Sequence, residues 1–365
     1  MLEDGRITDR QFMLLIIVSR LILSLTYLPA LNSPPENQDV WIAGLLSFPV
    51  HLLLAVPAYL LAQRFKDRSI IQSAELILGK TGKIIGALYV WFFLHMTALT
   101  LRQLSCYLTS VPYPETPAPV FIIVTALFAA LAVGYGVETI CRTGEIMTPV
   151  VMFSIFVVII LIAKDMDLKA LAPMLEKGIA PVLHGALTIA ARTVEILFVT
   201  MLLPYLNQPG TAKKAMAWGI FFFIFFFTII TVSIITTFDV EQAINRTFPF
   251  FSTVRLISIG EFLERIDAVH LGIWILGLFI KISIYYYLTA LGAAQLFNLQ
   301  DYRPIVLPLG TIIVSLSVLQ AENMVELREF TSYKVWTWYA LFFITFLPLI
   351  LLVVAVLRRR EVQAR

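Results

Sequence analysis

The chain has 365 residues, of which 59% are apolar and 14% charged, with a formal net charge of +3. Soluble domains carry about 25% charged residues, so this surface faces something other than water. A positive charge this small and dispersed excludes nucleic acid as a partner. The length is expected to form one transmembrane domain over residues 1–365, with no separate soluble domain beside it.

Apolar runs of about twenty residues, enough to cross hydrocarbon, recur in chain order. They lie at 11–31, 41–63, 84–110, 118–136, 146–163, 181–205, 215–238, 267–296, 304–320 and 335–357. The ninth is shortened by Pro304 and Pro308. The first is read as an uncleaved helix, because Glu3, Asp4 and Asp9 offset Arg6 and Arg10 where a signal peptide needs a positive flank. An all-α integral membrane protein of ten helices is therefore expected.

Lys and Arg set the orientation. One side holds Arg6, Arg10, Arg64, Lys66, Arg68, Lys80, Lys83, Arg142, Lys213, Lys214, Arg303 and the tail Arg358-Arg359-Arg360. The other begins with NSPPENQDV (32–40) and PYPETPAP (112–119), which hold neither residue. Both termini are expected in the cytoplasm.

Two long connections carry amphipathic helices. In the first, Ile70, Ile71, Ala74, Ile77 and Leu78 share a face. Ser69 and Gln72 form a capping box there, and Gly79 stops the helix. The second connection, an outer loop over 239–265, presents Phe250, Phe251, Val254 and Ile257. One follows span two and the other follows span seven, on opposite sides of the membrane. An offset of five spans with reversed sidedness is what an inverted five-plus-five repeat produces; chance coincidence is the alternative. The first repeat covers 1–165, and the second covers 166–297 and 298–365. In such a fold spans one and six break at mid-membrane, near Ser24–Thr26 and near Ala191–Glu195.

Ionisable residues inside spans are the informative ones, since burying a charge in the bilayer costs several kcal/mol. Arg20 lies in span one, Arg192 and Glu195 in span six, and Lys281 in span eight. Arg102 in span three sits nearer the outer surface and can snorkel. Structural readings stand beside each. Arg192 and Glu195, three apart, would pair along one helix face, and Arg20 would bond carbonyls freed by a broken helix. Three cations against one anion favour a cavity for a carboxylate ligand. Cys106 and Cys141, one inside a span and one in a connection, form no disulfide framework, and the four histidines lack metal-ligand spacing. Nothing resembles a phosphate loop, a nucleophile elbow or paired catalytic carboxylates, so neither an enzyme nor a cofactor is expected.

The run FPFFSTVRLISIGEFLERIDAVHLGIWILGLFIKISIYYY (248–287) resembles the Ger-type spore germination permeases, the B subunits of nutrient germinant receptors. GEFLERID (260–267), Trp274 and Lys281 carry most of the likeness. NQDVW (37–41), LGKTGKIIG (78–86) and LAPMLEKGIAPVLHGAL (171–187) support it. That family is similar to the amino acid/polyamine/organocation transporters, with a LeuT/APC-like fold. The resemblance implies a receptor subunit in the inner membrane of an endospore, working with A and C subunits on a small nutrient such as an amino acid. By position, it implies a ligand pocket around Ser24, Leu25, Phe92, Met96, Val194, Glu195, Lys281 and Tyr285. Three departures stand out: no glycine at the span-one break, Arg20 just before it, and Glu195 earlier than the usual span-six glutamate. An autonomous proton-coupled amino-acid permease is the competing reading.

The topology has a direct check. Cysteines at 34–38 should react with a membrane-impermeant thiol reagent only from outside; labelling from the inside would reverse the assignment.

Overall fold

A computed structural model describes residues 5–26, 38–257 and 266–358. Every regular element among them is helical. Helix α1 (Asp9–Ser24) opens with a capping box. Thr8 Oγ1 accepts the Gln11 N–H at 3.1 Å, and Gln11 Oε1 accepts the Thr8 N–H at 3.0 Å, which satisfies two orphan donors. The helix stops at Ser24 and Leu25–Thr26 form a turn. The expected continuation of span one to residue 31 lies outside the described residues.

Helix α2 (Val40–Arg64) leads to α3 (Ile70–Leu78), where the Ser69–Gln72 capping box forms and Gly79 takes φ = 70°. Ile70, Ile71, Ala74 and Ile77 are buried on one face, as the pattern requires. Helices α4 (Gly82–Ser110), α5 (Ala118–Tyr135) and α6 (Val137–Ile162) follow. Gly82 lies directly on the carbonyl of Ala74, so its hydrogen side chain lets α4 start against α3.

Only Gly136, at φ = 93°, separates α5 from α6. This corrects the fifth span: it begins at 137 rather than 146, and Cys141 is buried inside the helix rather than placed in a connection. The charges that lowered the hydropathy of this stretch are used by the first turns. Glu138 pairs with Arg142 at i,i+4, while Glu145 meets Arg10 at 3.3 Å and the Gln11 amide at 3.0 Å.

Span six is interrupted. Helix α7 (Ala180–Ala191) gives way to a 3₁₀ turn at Val194–Leu197, then α8 (Phe198–Leu202) and a second 3₁₀ turn at Leu203–Tyr205. The two halves are bent by 45°. Helix α9 (Ala212–Asn245) is kinked at Asp239, which has φ = 57°. Helix α10 (Pro249–Val254) buries Phe250, Phe251 and Val254, as expected of the second amphipathic segment. The loop beyond it, with GEFLERID up to Arg265, lies outside the described residues.

Helix α11 (Ile266–Leu296) is buried almost without interruption from Ile280 to Gln295 and packs against α4, α6 and α1. Helix α12 (Arg303–Leu319) takes Pro304 in its first turn and turns by 103° into α13 (Met324–Phe330). Span ten is α14 (Tyr333–Leu341), a π turn at Phe342–Phe346, and α15 (Leu347–Leu357).

Among the described residues seven helices are long and apolar enough to cross a membrane, and up to nine spans result if each bent pair counts as one. Helix α1 has 16 residues, below the length of a full span. Leu127, Phe153, Leu307 and Leu349 project from the outer faces of α5, α6, α12 and α15. A helical bundle with such a perimeter belongs in lipid, where helices satisfy their own backbone.

The α3–α4 contact yields a prediction. Gly82→Ala puts a methyl group onto backbone that cannot retreat without moving α3, and overpacking of this kind costs about 1–3 kcal/mol. The detergent-solubilised variant should melt at a lower temperature than the parent. An unchanged midpoint would show that α3 docks more loosely.

Candidate functional site

The break in span six is built around Thr193. Its ψ of 69° leaves the helix, and the preceding turn closes with i→i+3 bonds, Arg192 N–H to Ile189 O and Thr193 N–H to Ala190 O. Two neighbours hold its hydroxyl. Arg20 Nε donates to Oγ1 at 3.2 Å from α1, and His51 Nε2 lies 2.7 Å away on α2. His51 Nδ1 is 2.7 Å from the Ser47 carbonyl, which can only accept. Nδ1 therefore carries a proton, and in the neutral ring Nε2 accepts the Thr193 hydroxyl proton. The guanidinium of Arg20 also lies over the Phe223 ring, 4.6 Å from its centroid.

Two residues further, Glu195 meets Lys281. The Lys281 Nζ donates to Glu195 Oε1 at 2.5 Å and to the Ser19 carbonyl of α1 at 2.7 Å. Lys281 is 4% exposed and Glu195 is fully buried. A buried pair this deep depends on each group meeting the other; Lys281 has the Ser19 carbonyl as a second partner, while Glu195 Oε2 is buried without one. The Tyr285 ring closes the side, its centroid 5.1 Å from Nζ, and packs on Phe198 of α8. Spans one, six and eight are thereby joined at one point.

Above the pair lies a cavity with about 50 Å³ of space open to water centres, against roughly 10–15 Å³ for one ordered water. Arg20, Arg192, Val194 and Lys281 form one part of its wall. Met96, Leu99, Thr100 and Gln103, on one face of α4, form another, and Thr331 and Trp336 cover it.

Two arginines hold this cover. Arg102 Nη2 donates to the Glu322 carbonyl at 2.6 Å, and Arg192 Nη2 donates to the Thr331 carbonyl. Between them, α13 is capped by Asn323, whose side chain accepts the Val325 and Glu326 N–H groups. Phe330 anchors it against His95, Trp336 and Tyr339, with ring centroids 5.3–5.9 Å apart.

Of the residues expected in a pocket, Met96, Val194 and Lys281 line this cavity, together with the expected buried charges Arg20 and Arg192. Glu195 and Tyr285 stand behind it around Lys281. Ser24 and Leu25 are buried at the end of α1, and Phe92 stacks on Phe343 at 4.4 Å rather than facing the cavity. The expected Arg192–Glu195 pair along one helix face does not form. The helix breaks between them, sending Arg192 to Thr331 and Glu195 to Lys281. Arg102 does not snorkel to the surface: it is 7% exposed and used by Glu322. Leu99, Thr100 and Gln103 were readable from Met96 by helical spacing; Thr193, His51, Thr331 and Trp336 carried no such signal.

A model of the family described as "Spore germination protein" matches residues 6–325. Among curated proteins, the chain is 30% identical to spore germination protein KB of Bacillus subtilis over 99% of this chain and 97% of that protein. It is 26% identical to spore germination protein YndE of the same organism, over 98% of each. Among solved structures, it is similar to a nucleobase-cation-symport-1 family transporter in a closed conformation with bromovinylhydantoin bound. The TM-score there is 0.65 at 13% identity, covering 90% of this chain and 75% of that one. It is also similar to MhsT in complex with L-phenylalanine, with a TM-score of 0.64 at 12% identity, covering 97% and 99%. The fold is thus the LeuT-like transporter fold expected from the sequence.

Removing one member of the buried pair should be severe. Lys281→Met strands the Glu195 carboxylate, at a cost of about 3–5 kcal/mol, read as lower membrane abundance and a lower melting temperature. Adding Glu195→Gln removes the stranded charge and should restore much of both. A single variant as stable as the parent would show that the pair carries no structural burden.

Proposed function

The chain belongs to the spore germination protein family, and we propose that it is the membrane subunit of a nutrient germinant receptor that binds an amino acid in the cavity at the span-six break. The observation that carries this reading is the placement of Arg20, Arg192 and Lys281 on one small cavity with a single carboxylate beside it. A carboxylate ligand supplies the missing negative charge. Apolar Met96, Leu99 and Val194 accommodate its side chain.

The proposed setting is the inner membrane of an endospore, with both termini cytoplasmic and with A and C subunits as partners. Binding would shift the subunit between two conformations that the partners read. A ligand moves such an equilibrium only through differential affinity for the two states, and by reciprocity the A subunit must alter ligand affinity in turn.

A second reading, an autonomous proton-coupled amino-acid permease, draws on the likeness to transporters with bound ligands and on the buried ionisable pair. Genes for A and C subunits beside this one would favour the receptor. Accumulation of labelled amino acid in proteoliposomes holding this chain alone would favour transport.

Ligand that binds the folded state raises its melting temperature by mass action. Purified protein screened against amino acids, sugars and nucleosides should be stabilised by at least one amino acid. A flat response across the whole panel would remove the receptor reading.

A further inference from the structure

We propose that Arg192 receives the ligand carboxylate together with Trp336 and, through its bond to Thr331, makes the 320–332 segment a roof whose closure is coupled to occupancy. This rests on the receptor reading above and assigns the ligand's anionic end to particular donors.

Arg192 and Trp336 both line the cavity, and each carries a buried side-chain N–H without a partner, Arg192 Nε and Trp336 Nε1. A buried donor left unpaired costs free energy, so both sites gain when an acceptor enters. The other cations are already engaged. Lys281 is held by Glu195 and Ser19, and Arg20 Nε by Thr193. Arg192 instead spends one nitrogen, Nη2, on a backbone carbonyl of the roof. A guanidinium presents five N–H donors in a rigid plane. The edge formed by Nε and the free hydrogen of Nη2 fits a carboxylate bidentately while the second Nη2 hydrogen stays on Thr331. One planar group then touches ligand and roof at once.

The roof has the construction this requires. Its helix α13 is self-capped and buries only Leu327; apart from a long bond from Arg328 Nη2 to the Arg246 carbonyl at 3.4 Å and the Phe330 ring contacts, it is held by its ends. Arg102 holds the Glu322 end and Arg192 the Thr331 end. Arg102 does not line the cavity. If the roof is one coupled element, loosening the Arg102 end must weaken ligand binding at the Arg192 end, because coupling between two sites is reciprocal.

The test uses the purified full chain and measures binding by thermal stabilisation and calorimetry. The panel is L-amino acids, each beside its carboxamide, with sugars and nucleosides as neutral controls. The expected result is that acids bind wild type and carboxamides do not, that Arg192→Gln abolishes acid binding, and that Arg192→Lys weakens it. Arg102→Gln is expected to weaken acid binding by a factor in the roughly 5- to 150-fold range usual for coupled sites. Cys106 and Cys141 are both buried. A reporter at Val325→Cys, on the exposed face of α13, should therefore give a thiol-labelling rate that the acid slows in wild type and leaves unchanged in Arg192→Gln.

Equal binding of acid and carboxamide by wild type overturns the carboxylate assignment even if the Arg192 variants fail to fold. Unchanged acid affinity in Arg102→Gln overturns the coupling. Binding of sugars or nucleosides but of no acid would leave a receptor with a different ligand and sink this proposal. Silence across the entire panel would instead sink the receptor reading on which it rests.

Discussion

Lys281 reaches from the middle of α11 to the carboxylate of Glu195 and the carbonyl of Ser19, and the inner architecture depends on that reach. In hydrocarbon a helix may break only where protein or trapped water satisfies the backbone and side-chain groups that the break exposes. Span six breaks beside this pair, and span one ends its helix five residues after Ser19. The Lys281 amine bonds both spans, so the two weak points share one cation. An ion pair this deep is no source of net stability, because desolvation offsets most of the attraction. Its effect is to fix which segments meet and in what register. A second tie lies at the far end of the same two spans, where Ile7 and Leu206 form an isolated parallel bridge.

With Glu195 committed to Lys281, the polar groups around it sort into two layers. Thr193, Arg20 and His51 form a closed set in which each hydrogen bond determines the next, from the Ser47 carbonyl through the imidazole to the hydroxyl and the guanidinium. Arg192 and Trp336 form the other layer; both residues line the cavity and each has a buried N–H without a partner. The closed layer holds the break in shape, and the other borders the cavity. The positive excess of the cavity follows from this sorting rather than from the number of arginines alone.

How much was legible in the sequence follows from what a single residue reveals. An ionisable group inside an apolar run announces itself by its cost, and Arg20, Arg192, Glu195 and Lys281 stood out for that reason. Glu195 had three cations to meet at that depth, and the structure shows that Lys281 is the one it pairs with. The alternative in which Arg192 pairs with Glu195 needs a continuous helix, where i and i+3 share a face, and the break expected near 191–195 removes it. Thr193, midway between them, leaves the helical region and turns the two side chains apart. Thr193 and His51 were invisible as a pair because a threonine and a histidine in apolar spans are ordinary residues until tertiary structure brings them to 2.7 Å. The segment 320–332 looked like any polar connection. Its importance comes from arginines more than a hundred residues away in the chain.

The roof is held in two chemically different ways, and the difference bears on what can move. Phe330 sits among His95, Trp336 and Tyr339, and Phe92 extends the same ring contacts to Phe343 in the π turn of span ten. Tyr89 donates to the Phe343 carbonyl at 2.9 Å, holding that irregular turn against α4. Stacked rings resist displacement because their buried area is lost on separation. The arginine-to-carbonyl bonds at Glu322 and Thr331 are single, directional and made by groups with donors to spare. Contacts of the second kind are the easier to re-order without loss of the first. The roof is therefore fixed most firmly at its Phe330 end, next to which the first helix of span ten begins at Tyr333.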